Sequence, residues 1–342
     1  MLGTNATVAV LYQAIEPPVI NGVKKPRKPG GYQDSGADIA YTLQQKGVKV
    51  IKSDASAPEP HLWANTILFD SHPLQTSAKL APLASHIYVV GQPPSLVENF
   101  DDKAYLNDKL RQLGGSTLPK SWLVSPENKG DIISQIDQYP IVAKPVRGRG
   151  SHGVKVCRDK SEIQQHTDTL LEESPLVMLE EFLAGEEATI TVMPPTAAHP
   201  HHWSMVPVTR FNHDNGIAPY NGVIAVTANS RVVTEGEMKD PAYRKIMREC
   251  EEVAKLIRAT APIRIDVRRF RDRSDFALFD INLKPNMTGP GRPGREDQAS
   301  LTAIAATALG WDYGTLLKNI LQGAQSLDVL GITKVLFRSI NR

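Results

Sequence analysis

The 342 residues are too many for one ordinary hydrophobic core, so two or three domains are expected. The composition, 41% hydrophobic and 22% charged, is that of a soluble globular protein, and 39 basic against 37 acidic residues leave a formal charge of +2, which argues against nucleic acid as the main partner. Cys157 and Cys250 lie far apart with no CxxC pair, no apolar run nears the ~20 residues of a bilayer span, and MLGTNATVAVLYQAI lacks a signal-peptide layout, so a reducing, cytoplasmic setting without membrane contact is expected.

In chain order, TVAVLY (Thr7–Tyr12) reads as a buried parallel strand, and the Pro-, Gly- and Lys-rich run after it as a long irregular loop. SGADIAYTLQQKG (35–47) reads as a helix stopped by Gly47; VKVIKS (48–53), TILFDS (66–71) and HIYVVG (86–91) read as further strands of an open α/β unit. FDDKAYLNDKLRQLGG (100–115) reads as one helix with a glycine terminator. YPIVAKPVRGRGSHGVKVC (139–157) reads as strand, glycine-rich basic loop and strand, followed by a helix (161–174) capped by Ser161. PLVMLEEFL is an apolar strand ending in carboxylates, EEATITVMPP and HHWSMVPVTRF form the next hairpin, and residues 241–260 an amphipathic helix with Pro241 near its start. PIRIDVRRF and FALFDINLK are two more strands, and residues 300–324 supply two final helices.

The last two strands flank the polar loop RDRSD. An antiparallel hairpin centred on Arg273 sets Asp266 opposite Asp280 and Arg264 opposite Asn282, each pair sharing one face by period-two alternation. Opposed Cβ atoms lie about 5 Å apart. Two like charges at that spacing are unfavourable unless a cation lies between them, and carboxylates with an amide oxygen suit Mg²⁺. The alternative is a solvated face whose charge Arg264 and Arg268 neutralise.

Lys144 on its strand, Gly148, Gly150 and Gly153 in the turn and Ser151 make an anion-binding candidate, because glycines let backbone N–H groups approach closely. Neither a Walker A motif nor a GxGxxG fingerprint is present, and a flexible basic hairpin is the alternative. Lys103 opens the preceding helix. MLEEFLAGEE (178–187) is a strand end able to meet a purine edge, with Glu187 for ribose hydroxyls, or a charged hairpin corner. Arg292 and Arg295 either bind an acidic substrate group or pair with Glu296 and Asp297. AHPHHW (198–203) reads as a solvated turn, not a metal site, because its histidines lack helical spacing.

Taken in order, DK, AKP with its glycine-rich loop, EEFLAGEE, RID, and DIN followed by PNMTG make residues 99–324 resemble the ATP-grasp superfamily, most nearly its D-alanine–D-alanine ligase branch. The resemblance implies an N-terminal open α/β domain (1–97) and two α+β subdomains (98–185 and 186–325) clasping ATP, with a tail at 326–342. It implies that Lys103 and Lys144 hold the ATP phosphates under the loop containing Ser151. Glu180, Glu181, Phe182 and Leu183 would form the adenine hinge, with Glu187 on the ribose. Asp266, Asp280 and Asn282 would be ligands of one or two Mg²⁺, and Arg264 would stabilise the acyl phosphate and tetrahedral intermediate. The implied reaction is ATP-dependent joining of a small-molecule carboxylate and an amine, with ADP and phosphate released; a homodimer is also implied.

The chain departs from that branch in places. Asp280 stands where the branch has Glu, and Asn286 where it has Gly. Its HG…GEDG substrate segment is replaced by FDSHPLQTSA (69–78). The amine-gripping glutamate aligns near Gly30 and the carboxylate-binding serine near Gly291, and only Arg210 and His213 substitute for a missing lysine. Asn286, Gly291, Arg292 and Arg210 are therefore the substrate-site candidates, for a pair other than two D-alanines. The alternatives are an ATP-binding regulatory or scaffold protein and an enzyme forming an ester or phosphorylated product.

Overall fold

The computed structural model describes residues 7–12, 19–20, 23–24, 32–50, 60–65, 77–148, 152–218 and 226–330. β1 (Thr7–Tyr12) leads to a two-stranded ribbon, β2 (Val19–Ile20) and β3 (Val23–Lys24), then to α1 (Tyr32–Gln45), β4 (Lys49–Val50), β5 (Pro60–Asn65) and β6 (Tyr88–Val90). β1 pairs in parallel with β4 on one side and β5 on the other, and β5 with β6, which gives the open parallel sheet expected of the apolar runs. β5 is not among the strands expected from the sequence, and the strand expected at 66–71 lies wholly outside the described residues.

A second, wholly antiparallel sheet follows, preceded by α2 (Pro94–Phe100) and α3 (Lys103–Leu113). The helix expected over 100–115 is α3, ended by Gly114 as expected but starting at Lys103, because α2 runs to Phe100 and the Asp102 carboxylate accepts the Tyr105 N–H at 2.9 Å and caps a fresh start. β7 (Ser121–Val124), α4 (Lys129–Ser134), β8 (Ile141–Pro145), β9 (Lys155–Cys157), α5 (Lys160–Leu171) and β10 (Val177–Glu181) complete this layer, with strand order β7-β10-β8-β9. Asp159, not Ser161, caps α5, accepting from the Glu162 N–H at 2.9 Å, so the helix starts two residues earlier than a Ser161 cap would place it.

The third sheet contains β11 (Glu187–Met193), β12 (Trp203–Ser204), β13 (Val208–Arg210), β14 (Ser230–Val232), β15 (Ile263–Arg269) and β16 (Phe276–Asn282), with β11 central and β15 between it and β16. Its outer face is covered by α6 (Pro241–Leu256). Ile246, Cys250, Val253 and Ala254 recur at helical spacing and pack on Ile190, Val192, Ile263, Ile265 and Val267, each a side chain whose burial contributes ~1.5–3 kcal/mol if large and aliphatic. After α7 (Leu301–Thr307) and α8 (Tyr313–Leu321), the short β17 (Gln325–Ser326) returns to pair with β6 of the first sheet, and Leu327 and Leu330 enter that sheet's core.

One core joins the first and third layers: Val8, Ile39, Leu43 and Trp63 pack with Met193, Leu301, Leu316, Leu317 and Ile320. Polar stitches reinforce it. The Gln92 amide donates to Ala261 O at 2.8 Å and accepts from the Thr260 N–H at 3.0 Å, and the Thr260 hydroxyl donates to Gly91 O at 2.6 Å. Among the described residues no helix is long and apolar enough to cross a membrane.

Candidate active site

Period-two alternation sorts the third sheet into two chemically different faces. Ala188, Ile190, Val192, Ile263, Ile265 and Val267 face α6, whereas Glu187, Thr189, Thr191, Arg264, Asp266 and Arg268 occupy the other side. β16 adds Asp280 opposite Asp266 and Asn282 opposite Arg264, the register read from the sequence. The ladder is not uniform, because a bulge between Asp266 and Val267 pairs Val267 with Leu278 and leaves Phe279 as the extra residue. The hairpin loop is offset by the same single step, so pairing centred on Arg273 holds only at the acidic end.

The two opposed carboxylates have different partners. Asp266 accepts both Arg264 Nε (3.0 Å) and Nη2 (3.1 Å), and its Oδ1 also accepts the Thr189 hydroxyl at 2.6 Å. Asp280 Oδ1 lies 3.2 Å from the Lys103 ammonium, is buried, and accepts no hydrogen bond from the described residues. Burial works to raise the Asp280 pKa, but Lys103, Lys144 and Arg264 together hold it below the usual carboxylate range. Arg268 does not join this neutralisation. It donates to Gly185 O (3.1 Å) and Gly216 O (2.6 Å) and lies over the Phe182 ring at 4.9 Å. No group of three or more His, Cys, Asp or Glu assembles among the described residues. A cation at this end would therefore be held by two carboxylates and the Asn282 amide oxygen, which also accepts the Lys284 N–H at 3.1 Å; the hard oxygens of this donor set fit Mg²⁺.

Two lysines from separate elements converge on β16. Lys144, on β8, is buried and donates to Phe279 O at 2.9 Å, the carbonyl that the bulge re-aims. Its second bond, to Glu180 Oε2 at 2.6 Å, is a buried ion pair that sequence reasoning missed, since it depends on β10 lying beside β8. Lys103, at the first turn of α3, also donates to Gly148 O at 3.2 Å and so ties the glycine-rich loop to Asp280. Ser151 and Gly150 of that loop lie outside the described residues.

Of the purine-hinge candidates, Glu180 is taken by Lys144 and by the Asn107 amide (3.4 Å), so its side chain faces inward, and its backbone lies in the sheet between Ser121 of β7 and Val142 of β8. Glu181 donates its N–H to Lys120 O at 2.8 Å, Leu183 is buried, and Phe182 lies beneath Arg268. Glu187 is buried with His213 Nε2 at 2.8 Å and Arg268 Nη1 at 3.6 Å, and Arg210 stands opposite it on β13. Arg210 thus belongs to the polar face; burial lowers its pKa, against the opposing pull of Glu187 and Asp266.

The loop after β16 is built tightly. Asn286 Oδ1 accepts from the Thr288 N–H (3.0 Å) and hydroxyl (2.8 Å), and the Tyr313 hydroxyl donates to Met287 O at 2.6 Å. Gly291 lies against α1, where a Cβ would meet the Thr42 hydroxyl and come within 2.7 Å of Asp38 O. Arg292 and Arg295 pair with neither Glu296 nor Asp297: Arg292 Nε reaches Asp38 Oδ1 at 2.6 Å, and Arg295 Nε reaches Asp38 Oδ2 at 3.1 Å. Lys284, unnoticed in the sequence, donates to Asn65 Oδ1 at the end of β5 (2.6 Å). Thr189 was also missed, though the alternation of Thr189 and Thr191 along EATITVM marked a polar strand face. In the histidine-rich turn, the His199 ring packs against Trp203 with the planes tilted by 31°, and His202 bonds Ala259 O at 2.8 Å.

Residues 118–322 match the family model described as D-ala D-ala ligase C-terminus. Curated relatives include the D-alanine–D-alanine ligases of Aquifex aeolicus, 25% identical over 64% of this chain and 68% of that protein, and of Marinomonas sp., 25% identical over 85% and 90%. The ligases of Bacillus anthracis and Syntrophotalea carbinolica are matched over 65% and 57% of their length. Among solved structures, the ATP complex of the Bacillus anthracis D-alanine–D-alanine ligase superposes with a TM-score of 0.65 at 16% identity, over 95% of this chain and 99% of that one. The VanG D-Ala:D-Ser ligase of Enterococcus faecalis gives 0.64 at 14%, over 93% and 98%. At such identities these superpositions establish the fold.

Proposed function

We propose, from the premise that the chain belongs to the D-ala D-ala ligase C-terminus family and is an ATP-grasp ligase, that it joins a small carboxylic acid to an amine through an acyl phosphate. The observation that carries this reading is the convergence of Lys103 and Lys144 on β16, at Asp280 Oδ1 and Phe279 O, beside the opposed Asp266 and Asp280. An acidic pair flanked by lysines from two other elements is suited to a polyphosphate carrying a divalent cation.

In this reading the substrate carboxylate oxygen attacks the γ-phosphorus of ATP, and ADP departs with the electrons of the broken P–O bond. The amine nitrogen then attacks the acyl carbon and phosphate leaves, which gives an amide once the nitrogen has lost its proton. Lys103 and Lys144 neutralise charge on the transferring phosphoryl oxygens. Arg264, oriented by its two bonds to Asp266, would stabilise the oxyanion of the tetrahedral intermediate by its charge. Asp266, Asp280 and Asn282 are the oxygens for Mg²⁺, which supplies further neutralisation of the nucleotide phosphates when bound.

The acid and amine are proposed to differ from two D-alanines. Support comes from the departures at Gly30, Asn286 and Gly291 and from the replaced segment at 69–78. The test is incubation of the full chain with ATP, Mg²⁺ and pooled D- and L-amino acids, followed by phosphate assay and product mass. ADP with an amide mass supports the reading, and an ester or a phosphorylated acid redirects it. Absence of ADP under every condition overturns it, and turnover with D-alanine alone overturns the substrate part.

A further inference from the structure

We propose that Asp38, with Asp34, is a positioning residue for the substrate side of the ligase site: from α1 it fixes the loop that leaves the metal-ligand strand. The inference rests on the reading of β15 and β16 as the metal end of that site. Its starting point is an unusual carboxylate. Asp38 is wholly buried, yet it lies on a helix of the first layer and not on the polar sheet face. A carboxylate removed from water persists only with close cationic partners, and both partners come from one loop some 250 residues away. Arg292 Nε lies 2.6 Å from Oδ1, and Arg295 Nε 3.0 Å from Oδ1 and 3.1 Å from Oδ2. Asp34, one helical turn earlier on the same face, takes Arg292 Nη2 at 3.2 Å and Arg295 Nη1 at 3.8 Å.

The loop is fastened to the first layer at more than one point. At its start Lys284 reaches Asn65, at the carboxyl end of β5. In its middle Gly291 lies so close to Asp38 O and Thr42 that no side chain fits. At its far end are the two guanidinium contacts. The carboxyl edge of a parallel sheet is where α/β folds take ligands, and Asn282 stands two residues before Lys284. The latch therefore sets the separation between the metal-ligand strand and the edge of the first sheet. Bringing an acid and an amine to reacting distance between two layers depends on that separation, and a 1 Å displacement costs on the order of 10²-fold in rate.

The test uses the full chain, Asp38→Asn, and the charge-balanced double variant Asp38→Asn/Arg295→Met. Thermal melting is measured together with half-saturating concentrations for ATP and for an equimolar pool of D- and L-amino acids. Asp38→Asn is expected to raise the amino-acid value roughly 10-fold and to cut turnover ~10²-fold, with the ATP value within about twofold of the parent. The double variant regains melting temperature because no guanidinium is left in excess, but not turnover. Joint recovery of stability and turnover, or parallel rises for ATP and amino acids, overturns the proposal and leaves Asp38 a stabilising residue only. Should the parent form no ADP, the ligase reading fails on its own, and amide exchange still reads the latch. Asp38→Asn must then speed exchange over 284–297 without doing so over 263–282, and unchanged exchange in that loop overturns it.

Discussion

Asp266 and Asp280 face each other across the β15–β16 ladder, and each has its own cation: Arg264 lies 3.0 Å from Asp266 and Lys103 3.2 Å from Asp280. Their mutual repulsion is thereby met by the protein itself. The two are not equivalent, because Asp266 is tied down by three hydrogen bonds whereas Asp280 Oδ1 accepts none. Asp280→Ala is expected to lower turnover by ~10²-fold or more and to weaken Mn²⁺ binding followed by electron paramagnetic resonance. Thr189→Val, which removes one of the three bonds that orient Asp266 and leaves the two from Arg264, is expected to weaken Mn²⁺ binding by ~10-fold while leaving melting nearly unchanged. Full turnover in Asp280→Ala would remove this carboxylate from the proposed metal site.

The Lys144–Glu180 pair, with side chains 5% and 3% exposed, is a buried ion pair from which one partner cannot be removed cheaply. Lys144→Met is expected to destabilise by ~3–5 kcal/mol in urea unfolding, since Glu180 is left charged and dry. Adding Glu180→Gln should restore most of that stability but none of the ATP turnover. If turnover returned with stability, Lys144 would have no phosphate role.

Glycines test the packing of the loop after β16. A Cβ on Gly289 would run into the Tyr313 ring, so Gly289→Ala should cost ~1–3 kcal/mol. A Cβ on Gly130, in α4, would meet no atom within 4 Å, and Gly130→Ala should instead stabilise by up to ~1 kcal/mol. Calorimetry of the two variants should show melting shifts of opposite sign.

Asp312 caps α8 through the Thr315 N–H (2.6 Å) and meets Lys46, just beyond α1, at 2.7 Å. The Lys46 bond first, then those to Thr315, lower its pKa to about 2 from a usual 3.8. A lowered folded pKa means its stabilisation is complete above the unfolded value and fades as the pH falls from about 4 to about 2. The melting difference between the parent and Asp312→Asn should be constant from pH 7 to 5 and vanish across that window. Both side chains are more than a third exposed, so added salt should shrink it. A difference that persists at pH 2 would show that the carboxylate charge is irrelevant.

The acidic constellation was legible because hairpin pairing is local arithmetic: Asp266, Asp280, Arg264 and Asn282 lie within one strand–loop–strand unit. Even there the Phe279 bulge was invisible, since nothing in FALFDIN marks an extra residue. The Lys144–Glu180 pair depends on β10 entering between β7 and β8, a sheet order that alternation alone does not specify. Arg292 and Arg295 were correctly noticed but given the wrong acids. Glu296 and Asp297 were near in sequence, whereas Asp34 and Asp38 become near only when α1 docks on the loop. The mistaken cap at Ser161 is of another kind: Asp159 competes for the same orphan N–H groups, and the carboxylate wins.

The return of β17 to β6 has a consequence in time. Leu327 and Leu330 close the core of the first sheet, so during synthesis that sheet waits for residues made long after its other strands, while the second sheet, with strands drawn from one stretch of chain, has all its partners early. Long sequence separation slows such closure. Nascent chains stalled before residue 325 should protect β7 to β10 from protease and leave the edge at Tyr88–Val90 open, which would make the first strands to emerge the last to be secured.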